Sequence, residues 1–181
     1  MELIFEWVEA DRGCIMLVNA ETKALEPKVR RTRAGARGGD KITISKEFLD
    51  DPVAPGGTAT LRFTVRNLDR GFSAENISFF DDLDAVVSGL AAVGLPLVDP
   101  CGAGSSLSGT SLVSFNGGTL GSEGVCSFDV TLQVPGAAPT GAFTNTTSEI
   151  TADIGGAGET GSPASDLLFI QPIPTLAKSY L

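Results

Sequence analysis

Apolar and polar residues alternate along most of the chain from residue 42 onward, which is the pattern of strands that bury one face. In residues 42–48, Ile42, Ile44, Lys46 and Phe48 share one face, and the intervening residues share the other. Alternation of this kind recurs in four further segments, at residues 58–67, 75–82, 126–134 and 142–154. Each of these segments is predicted to be a half-buried strand.

Turn-forming residues separate the alternating segments, as in Asp50-Asp51-Pro52 and Pro55-Gly56-Gly57. Shorter strands are expected at residues 107–115, 118–120 and 167–170. Residues 83–97 are apolar but interrupted by glycine, so we expect a helical turn followed by a short strand there. Seven to nine short strands at this spacing predict an all-β, immunoglobulin-like two-sheet sandwich over residues 42–171.

The first 41 residues lack this pattern and predict an irregular N-terminal arm, poorly ordered or unrelated to the sandwich. A hairpin around Asp11-Arg12-Gly13 could pair the apolar residues of 3–7 with the apolar run 15–18. Residues 28–41 are basic and glycine-rich, which is typical of a linker or a disordered arm. The alternative is a basic patch that binds an anionic partner.

The C-terminus repeats the start of the sandwich. Residues 174–181 (PTLAKSYL) resemble residues 42–49 (ITISKEFL) at an offset of 132 positions. We therefore interpret residues 172–181 as the first strand of a truncated next repeat. Repeats of this length form beads on a string, so neighbouring repeats of the same chain are expected partners.

Composition narrows the function classes. The chain contains no His, which removes the commonest general base and the commonest transition-metal ligand. Residues 42–181 hold five Lys/Arg and fifteen Asp/Glu, an acidic balance that argues against binding nucleic acid. No apolar run is long enough to insert into a membrane. No enzyme, no catalytic residue and no cofactor is therefore expected.

The cysteines indicate an oxidising compartment. Cys101 and Cys126 lie 25 residues apart beside turn residues, and we expect a disulfide between them, although two free thiols are the alternative. The N-terminus is acidic where an export signal needs a basic region. The sequence is therefore expected to be a fragment of a longer exported protein, located outside the cell or on its surface.

Several segments together carry a family resemblance. They are ITISKEF, PVAPGGTATLRFTVRN, NISFFDDL, the Cys101-Gly102 and Cys126 pair, and GAFTNTTSEI. In their order and spacing, residues 42–171 resemble the bacterial surface-repeat domains of the type called domain of unknown function eleven. The resemblance implies an immunoglobulin-like sandwich, repeated in long cell-surface or secreted proteins, with no assigned enzymatic activity. The sequence departs from that pattern at Asp84, where the family usually has a proline.

Three polar residues occupy apolar faces of predicted strands: Lys46, Asp81 and Asn145. A buried lysine without a partner is costly, so the three are expected to meet. The same residue types form autocatalytic isopeptide bonds in bacterial adhesins, where a neutral lysine attacks an asparagine carboxamide beside a protonated acid. The alternative is a non-covalent Lys–Asp pair with the asparagine capping a strand hydrogen bond.

Weaker candidates for a cation site are the acidic residues Asp50, Asp51, Asp82 and Asp84, whose oxygens could bind calcium. Their spacing does not match an EF-hand, and solvated turn residues are the alternative interpretation.

The favoured function is a non-catalytic structural spacer or adhesion module of a secreted or cell-surface bacterial protein. The alternative is a module that binds carbohydrate or protein, such as a host or matrix protein or a glycan, through the loops at one end of the sandwich. Phe72 is the aromatic residue expected to be exposed in those loops.

Overall fold

The computed structural model describes residues 12–18, 25–32 and 39–172. Within these ranges the secondary structure consists of strands, joined by turns and irregular segments. The strands are β1 (Arg12–Val18), β2 (Leu25–Thr32), β3 (Ile42–Phe48), β4 (Thr58–Asn67), β5 (Ala74–Asp82), β6 (Ala91–Val93), β7 (Leu97–Val98), β8 (Ser106–Ser108), β9 (Leu112–Leu120), β10 (Val125–Gln133), β11 (Gly141–Thr146), β12 (Ile150–Ile154), β13 (Ala157–Gly161) and β14 (Ser165–Ile170). A bilayer-spanning helix is absent from the described ranges.

The N-terminal prediction is wrong in two respects. Arg12 and Gly13 do not form a turn, because they begin β1, which pairs antiparallel with β2. The linker predicted over residues 28–41 is a strand as far as Thr32. Pro27 obscures this strand in the sequence, and it lies opposite Met16 at a register shift, where a missing backbone N–H is tolerated. Residues 3–7 and the repeat at 174–181 lie outside the described residues.

One layer of the sandwich is the four-stranded antiparallel sheet β3-β4-β10-β6. Its strands follow the alternation of the sequence, and β3 buries Ile42, Ile44, Lys46 and Phe48 while its other face points outward. The register places Lys46 opposite Phe63 of β4. Lys46 is thereby fixed on the inner face by the same periodicity that buries its apolar neighbours.

The second layer is the six-stranded sheet β13-β12-β5-β9-β8-β7, accompanied by the ribbon β11-β14. The predicted long strand at residues 142–154 is in fact two strands, because the extended conformation is interrupted between Thr146 and Ile150. Thr147 forms an isolated bridge with Asp81 of β5, and β11 pairs with β14 while β12 pairs with β5 and β13. This switch of partners brings the end of β11 against β5.

The all-β sandwich is confirmed, but the predicted number of strands is too low. Residues 39–172 contain twelve strands rather than seven to nine, since the short strands β6, β7 and β8 were not separable in the sequence. Residues 83–90 form the expected turn, in which Val87 N donates to Leu83 O at 3.3 Å. The turn does not extend into a helix, and β6 follows it.

Four phenylalanine rings fill the space between the layers. Phe63 and Phe128 come from the four-stranded sheet, and Phe79 and Phe115 come from the six-stranded sheet. Their neighbouring ring centroids are 5.2–5.6 Å apart, in the range where aromatic pairs attract. This apolar cluster forms part of the wall around Lys46.

The first and last strands of the sandwich run in the same direction. Ser162 N donates to Asp40 Oδ2 at 3.1 Å, and Phe48 N donates to Asp166 Oδ2 at 2.7 Å. Beyond them Val53 forms a parallel bridge with Ile170. The chain therefore enters the sandwich near residue 40 and leaves it, near residue 171, at the opposite end.

Candidate functional site

The three polar residues singled out in the sequence lie together in the core. Lys46 of β3 donates from Nζ to Asp81 Oδ2 of β5 at 2.6 Å, and neither side chain has any exposed surface. Two facing strands from the two layers thus hold the pair. A 2.6 Å contact in a dry interior is a short, charge-assisted hydrogen bond.

Asn145 of β11 completes the cluster. Its Nδ2 donates to the same oxygen, Asp81 Oδ2, at 3.2 Å, and Asn145 is fully buried. The lysine nitrogen and the asparagine amide nitrogen therefore converge on one carboxylate oxygen. The break after β11, where Thr147 bridges to Asp81, sets this approach.

Two oxygens of the cluster have no hydrogen-bond partner. Among the described residues, Asp81 Oδ1 and Asn145 Oδ1 are the only side-chain nitrogen or oxygen atoms that are buried and unpaired. Buried polar groups are nearly always paired, because losing water without compensation costs about 1–3 kcal/mol per group. Both exceptions of this sandwich therefore fall in one site.

The surroundings of Lys46 are apolar on one side and acidic on the other. Its Nζ lies 5.5 Å from the centroid of the Phe63 ring. Burial lowers the pKa of the Lys46 amine from its ordinary value of 10.5, and the charges of Asp81 and, less strongly, Asp166 oppose that shift. Loss of water is the larger effect, so the Lys46 amine gives up its proton more easily than an exposed lysine does.

Asp166 is the other carboxylate that acts on Lys46. It lies on β14 directly opposite Asn145 and accepts the backbone hydrogen bond from Phe48. Because it is only partly buried, water screens it more than it screens Asp81. Its structural task is to join β14 to the end of β3.

The disulfide site lies away from this cluster along both sheets. Cys101, between β7 and β8, is bonded to Cys126 of β10. Cys101 is buried, and its backbone N–H donates to Ser105 Oγ at 3.0 Å. The bond links a connection of the six-stranded sheet to a strand of the four-stranded sheet.

The four calcium candidates do not converge. Each accepts a backbone N–H instead: Asp50 from Thr60, Asp51 from Phe169, Asp82 from Ala85 and Asp84 from Gly89. Within the described ranges no three acidic, cysteine or histidine side chains are grouped closely enough to hold a metal ion. These carboxylates stabilise turns and strand ends.

Phe72 is exposed as expected, but a second exposed aromatic residue was missed. Phe72 is 59% exposed, and Phe80 of β5 is 50% exposed on the outer face of the six-stranded sheet. Phe80 borders an open groove of about 460 Å³ with Ser78, Ser114, Asn116, Ser148, Glu149 and Thr151. The signal for Phe80 was available, because an inward Phe79 requires its neighbour to point outward.

The family assignment follows from a comparison of the sequence with family models. The model of a domain of unknown function, DUF7933, matches residues 43–170, which span β3 to β14. The chain belongs to this family. The match does not confirm the specific resemblance to domain of unknown function eleven, and no curated protein matches the chain significantly.

Several solved structures are similar to this chain at low sequence identity. The major pilin subunit BcpA of Bacillus cereus is 14% identical, with a TM-score of 0.48 over 88% of this chain and 48% of the pilin, so the chain spans about half of the pilin's length. The seventh ScaB type I cohesin of Pseudobacteroides cellulosolvens is 12% identical, with a TM-score of 0.47 over 76% of this chain and 98% of the cohesin. The collagen-binding domain of a Staphylococcus aureus adhesin is 10% identical, with a TM-score of 0.41 over 70% of this chain and 96% of that domain.

Proposed function

We propose that this DUF7933 module is a non-catalytic structural or adhesion repeat of a secreted or cell-surface bacterial protein. The observation that carries the proposal is the parallel course of β3 and β14. A module whose chain enters at one end and leaves at the other can be joined in series without the linker folding back along its side. Modules of this kind extend a protein by one body length per repeat.

The covalent and electrostatic features of the sandwich support an extracellular setting. The sandwich contains the Cys101–Cys126 disulfide. Disulfides persist in oxidising compartments and are rare in the cytosol. The net negative charge of residues 42–181 favours solubility. Neighbouring repeats of the same chain remain the first proposed partners.

Small-angle X-ray scattering of two copies fused head to tail tests the serial arrangement. Because the chain enters and leaves at opposite ends, the maximum dimension of the fusion should be close to twice that of the single chain. A fusion whose maximum dimension barely exceeds that of one module would contradict the proposal. Labelling of intact cells of the source organism with an antibody against the module tests its location.

A second candidate function is carbohydrate binding, and the groove beside Phe80 favours it. An exposed aromatic ring can stack on a sugar ring, and the surrounding hydroxyl, amide and carboxylate groups can bind its hydroxyls. A glycan and matrix-protein array with the wild-type chain tests this function. Binding that is lost in Phe80→Ala but kept in Phe72→Ala would place the ligand on the sheet face rather than on the loops. An array without any binder would contradict carbohydrate binding.

A further inference from the structure

We propose that Lys46 and Asn145 become joined by an autocatalytic isopeptide bond, with Asp81 as the catalytic residue. This inference concerns the chemistry of the buried cluster, so it can fail without affecting the proposed serial module, and the serial module can fail without affecting it. It describes one reaction of the protein with itself and not the turnover of a substrate.

Lys46 and Asn145 lie close together in the core. Lys46 Nζ and Asn145 Nδ2 both donate to Asp81 Oδ2, at 2.6 and 3.2 Å. A nucleophile and a carboxamide that share one hydrogen-bond acceptor are held within a few ångströms of each other by three strands of a packed core. Holding two reactants next to each other in a packed core lowers the entropic part of the barrier.

Two oxygens of the cluster lack a hydrogen-bond donor. Asp81 Oδ1 and Asn145 Oδ1 are buried acceptors without a donor, and both belong to groups that the reaction protonates or polarises. A proton on the Asp81 carboxyl turns one of its oxygens into a donor. The carboxyl can then polarise the Asn145 carbonyl, as protonated acids in apolar sites do in enzymes.

The packed core keeps water away from the reacting groups. The Lys46 and Asp81 side chains have no exposed surface, and Phe63 covers the amine on one side. Transfer of a proton from Lys46 Nζ to Asp81 replaces a buried ion pair by two neutral groups, which a medium without water favours. The neutral amine carries the lone pair that a nucleophile needs.

The reaction balances without any further reactant. The lone pair of Lys46 Nζ attacks Cγ of Asn145, forming the Nζ–Cγ bond, and the bond from Cγ to Nδ2 then breaks. Asp81 accepts a proton from Nζ and delivers one to Nδ2, which leaves as ammonia. An amine and a primary amide become a secondary amide and ammonia, with no oxidation or reduction.

Intact-mass spectrometry of the purified, fully reduced chain tests the bond. The expected mass is about 17 Da below the sum of the sequence, because one ammonia is lost. Tandem mass spectrometry of a tryptic digest should then show one branched peptide, in which Lys46 is uncleaved and joined to Asn145. A wild-type chain with the full sequence mass overturns the proposal, and this measurement requires no variant to fold.

A competing loss of ammonia is excluded by a matched variant. Asn116 precedes Gly117, a pair that can cyclise to a succinimide with the same loss of mass. The Asn116→Gln chain should keep the deficit, and Lys46→Met and Asn145→Ala should each show the full sequence mass. A deficit that follows Asn116 and not Lys46 overturns the proposal.

The role of Asp81 is tested separately. A folded Asp81→Asn chain should keep the full sequence mass, because an amide can neither take the proton from Lys46 nor return it. Circular dichroism of the purified variant establishes that it is folded. A 17 Da deficit mapped to Lys46 and Asn145 in that variant would remove Asp81 from the reaction.

Discussion

Among single residues, the buried polar groups of the sandwich need hydrogen-bond partners or counter-charges. Lys46 has no contact with water, and the described residues offer it one buried counter-charge, Asp81. A lone buried charge is far more costly than an ion pair, whereas a pair is roughly neutral against apolar residues of the same size. Asp81 is therefore required for stability as long as Lys46 has not formed the covalent bond.

In the Asn145→Ala chain, which cannot form the covalent bond, replacing Asp81 by Asn should lower the free energy of unfolding by about 3–5 kcal/mol, because Lys46 is left without its counter-charge. Urea unfolding followed by circular dichroism measures this loss. The matched control is Asp82→Asn, since Asp82 is exposed and an asparagine oxygen can still accept from Ala85 N. Equal effects of the two substitutions would show that the buried pair has no special importance.

Asp69 should make the stability of the fold depend on pH in the acidic range. Hydrogen bonds from the backbone of Gly71 and Phe72 lower the pKa of Asp69 below its ordinary value of 3.8. The folded state thus takes up a proton less readily than the unfolded state, so Asp69 stabilises the fold above pH 3.8. This stabilisation disappears as the pH falls through the lowered pKa.

The wild-type chain should therefore have a higher Tm than Asp69→Asn at pH 7, and the gap should be smaller at a second pH below 3.8. Thermal unfolding of both chains at both pH values measures the difference. Water screens this contribution because Asp69 is partly exposed, so the gap should be small. A gap that is the same at both pH values would contradict the assigned cause.

Alternation together with the cost of burying an unpaired lysine predicted the polar cluster. A period of two fixes which side of a strand a residue occupies, so a lysine among Ile42, Ile44 and Phe48 must point into the core. The same rule could not show that Asn145 and Asp166 face each other across β11 and β14, because register between distant strands is set by the whole fold. The two orphaned oxygens were likewise invisible before the strands were assembled.

At the element scale, the Cys101–Cys126 bond ties the two sheets at a place where strands are short. Its closed loop of 25 residues predicts a stabilisation of about 3 kcal/mol in the chain-entropy model. The double variant Cys101→Ala/Cys126→Ala should lose about that amount in urea unfolding. Cys14→Ser, which leaves the pair intact, is the control, and an equal loss in the control would refute the assignment.

A pair of glycines in β13 tests how closely that strand approaches β3. A Cβ at Gly161 would collide with the backbone carbonyl of Ile42, whereas a Cβ at Gly158 would meet no atom within 4 Å. Gly161→Ala should therefore lower the free energy of unfolding by about 1–3 kcal/mol, as overpacking does. Gly158→Ala should change the free energy of unfolding by less than about 0.5 kcal/mol. If Gly161→Ala does not change the free energy of unfolding either, β13 can move away from β3.

Long strands were easier to predict than strands that change partners. The segments at β3, β4 and β10 were located nearly to the residue, because each buries one continuous apolar face. The break between β11 and β12 was missed, since Thr147, Ser148 and Glu149 continue the composition of a Thr-rich strand. That break follows from tertiary pairing, with Ser148 N donating to Phe80 O at 2.8 Å, and no local pattern encodes it.

At the scale of the whole molecule, the two covalent ties would be nested. The chain enters through β3 and leaves through β14, and a bond between Lys46 and Asn145 would connect positions near these two strands. Tension applied to the ends would pass from residue 46 directly to residue 145. Residues 47–144, including the Cys101–Cys126 disulfide, would carry none of it.

Single-molecule pulling of the chain from its ends tests this consequence of the proposed bond. The Lys46→Met chain should extend further than wild type on unfolding. The extra length should be roughly 3.3–3.6 Å for each residue of segment 47–144 that lies outside the loop closed by the Cys101–Cys126 disulfide. Reducing agent should lengthen the variant again, because it releases the loop between Cys101 and Cys126. The wild-type extension should not respond to reducing agent, because its disulfide lies inside the segment that the isopeptide bond shields. A wild-type chain that lengthens on reduction would show that tension reaches the disulfide and that no bond at Lys46 bypasses it.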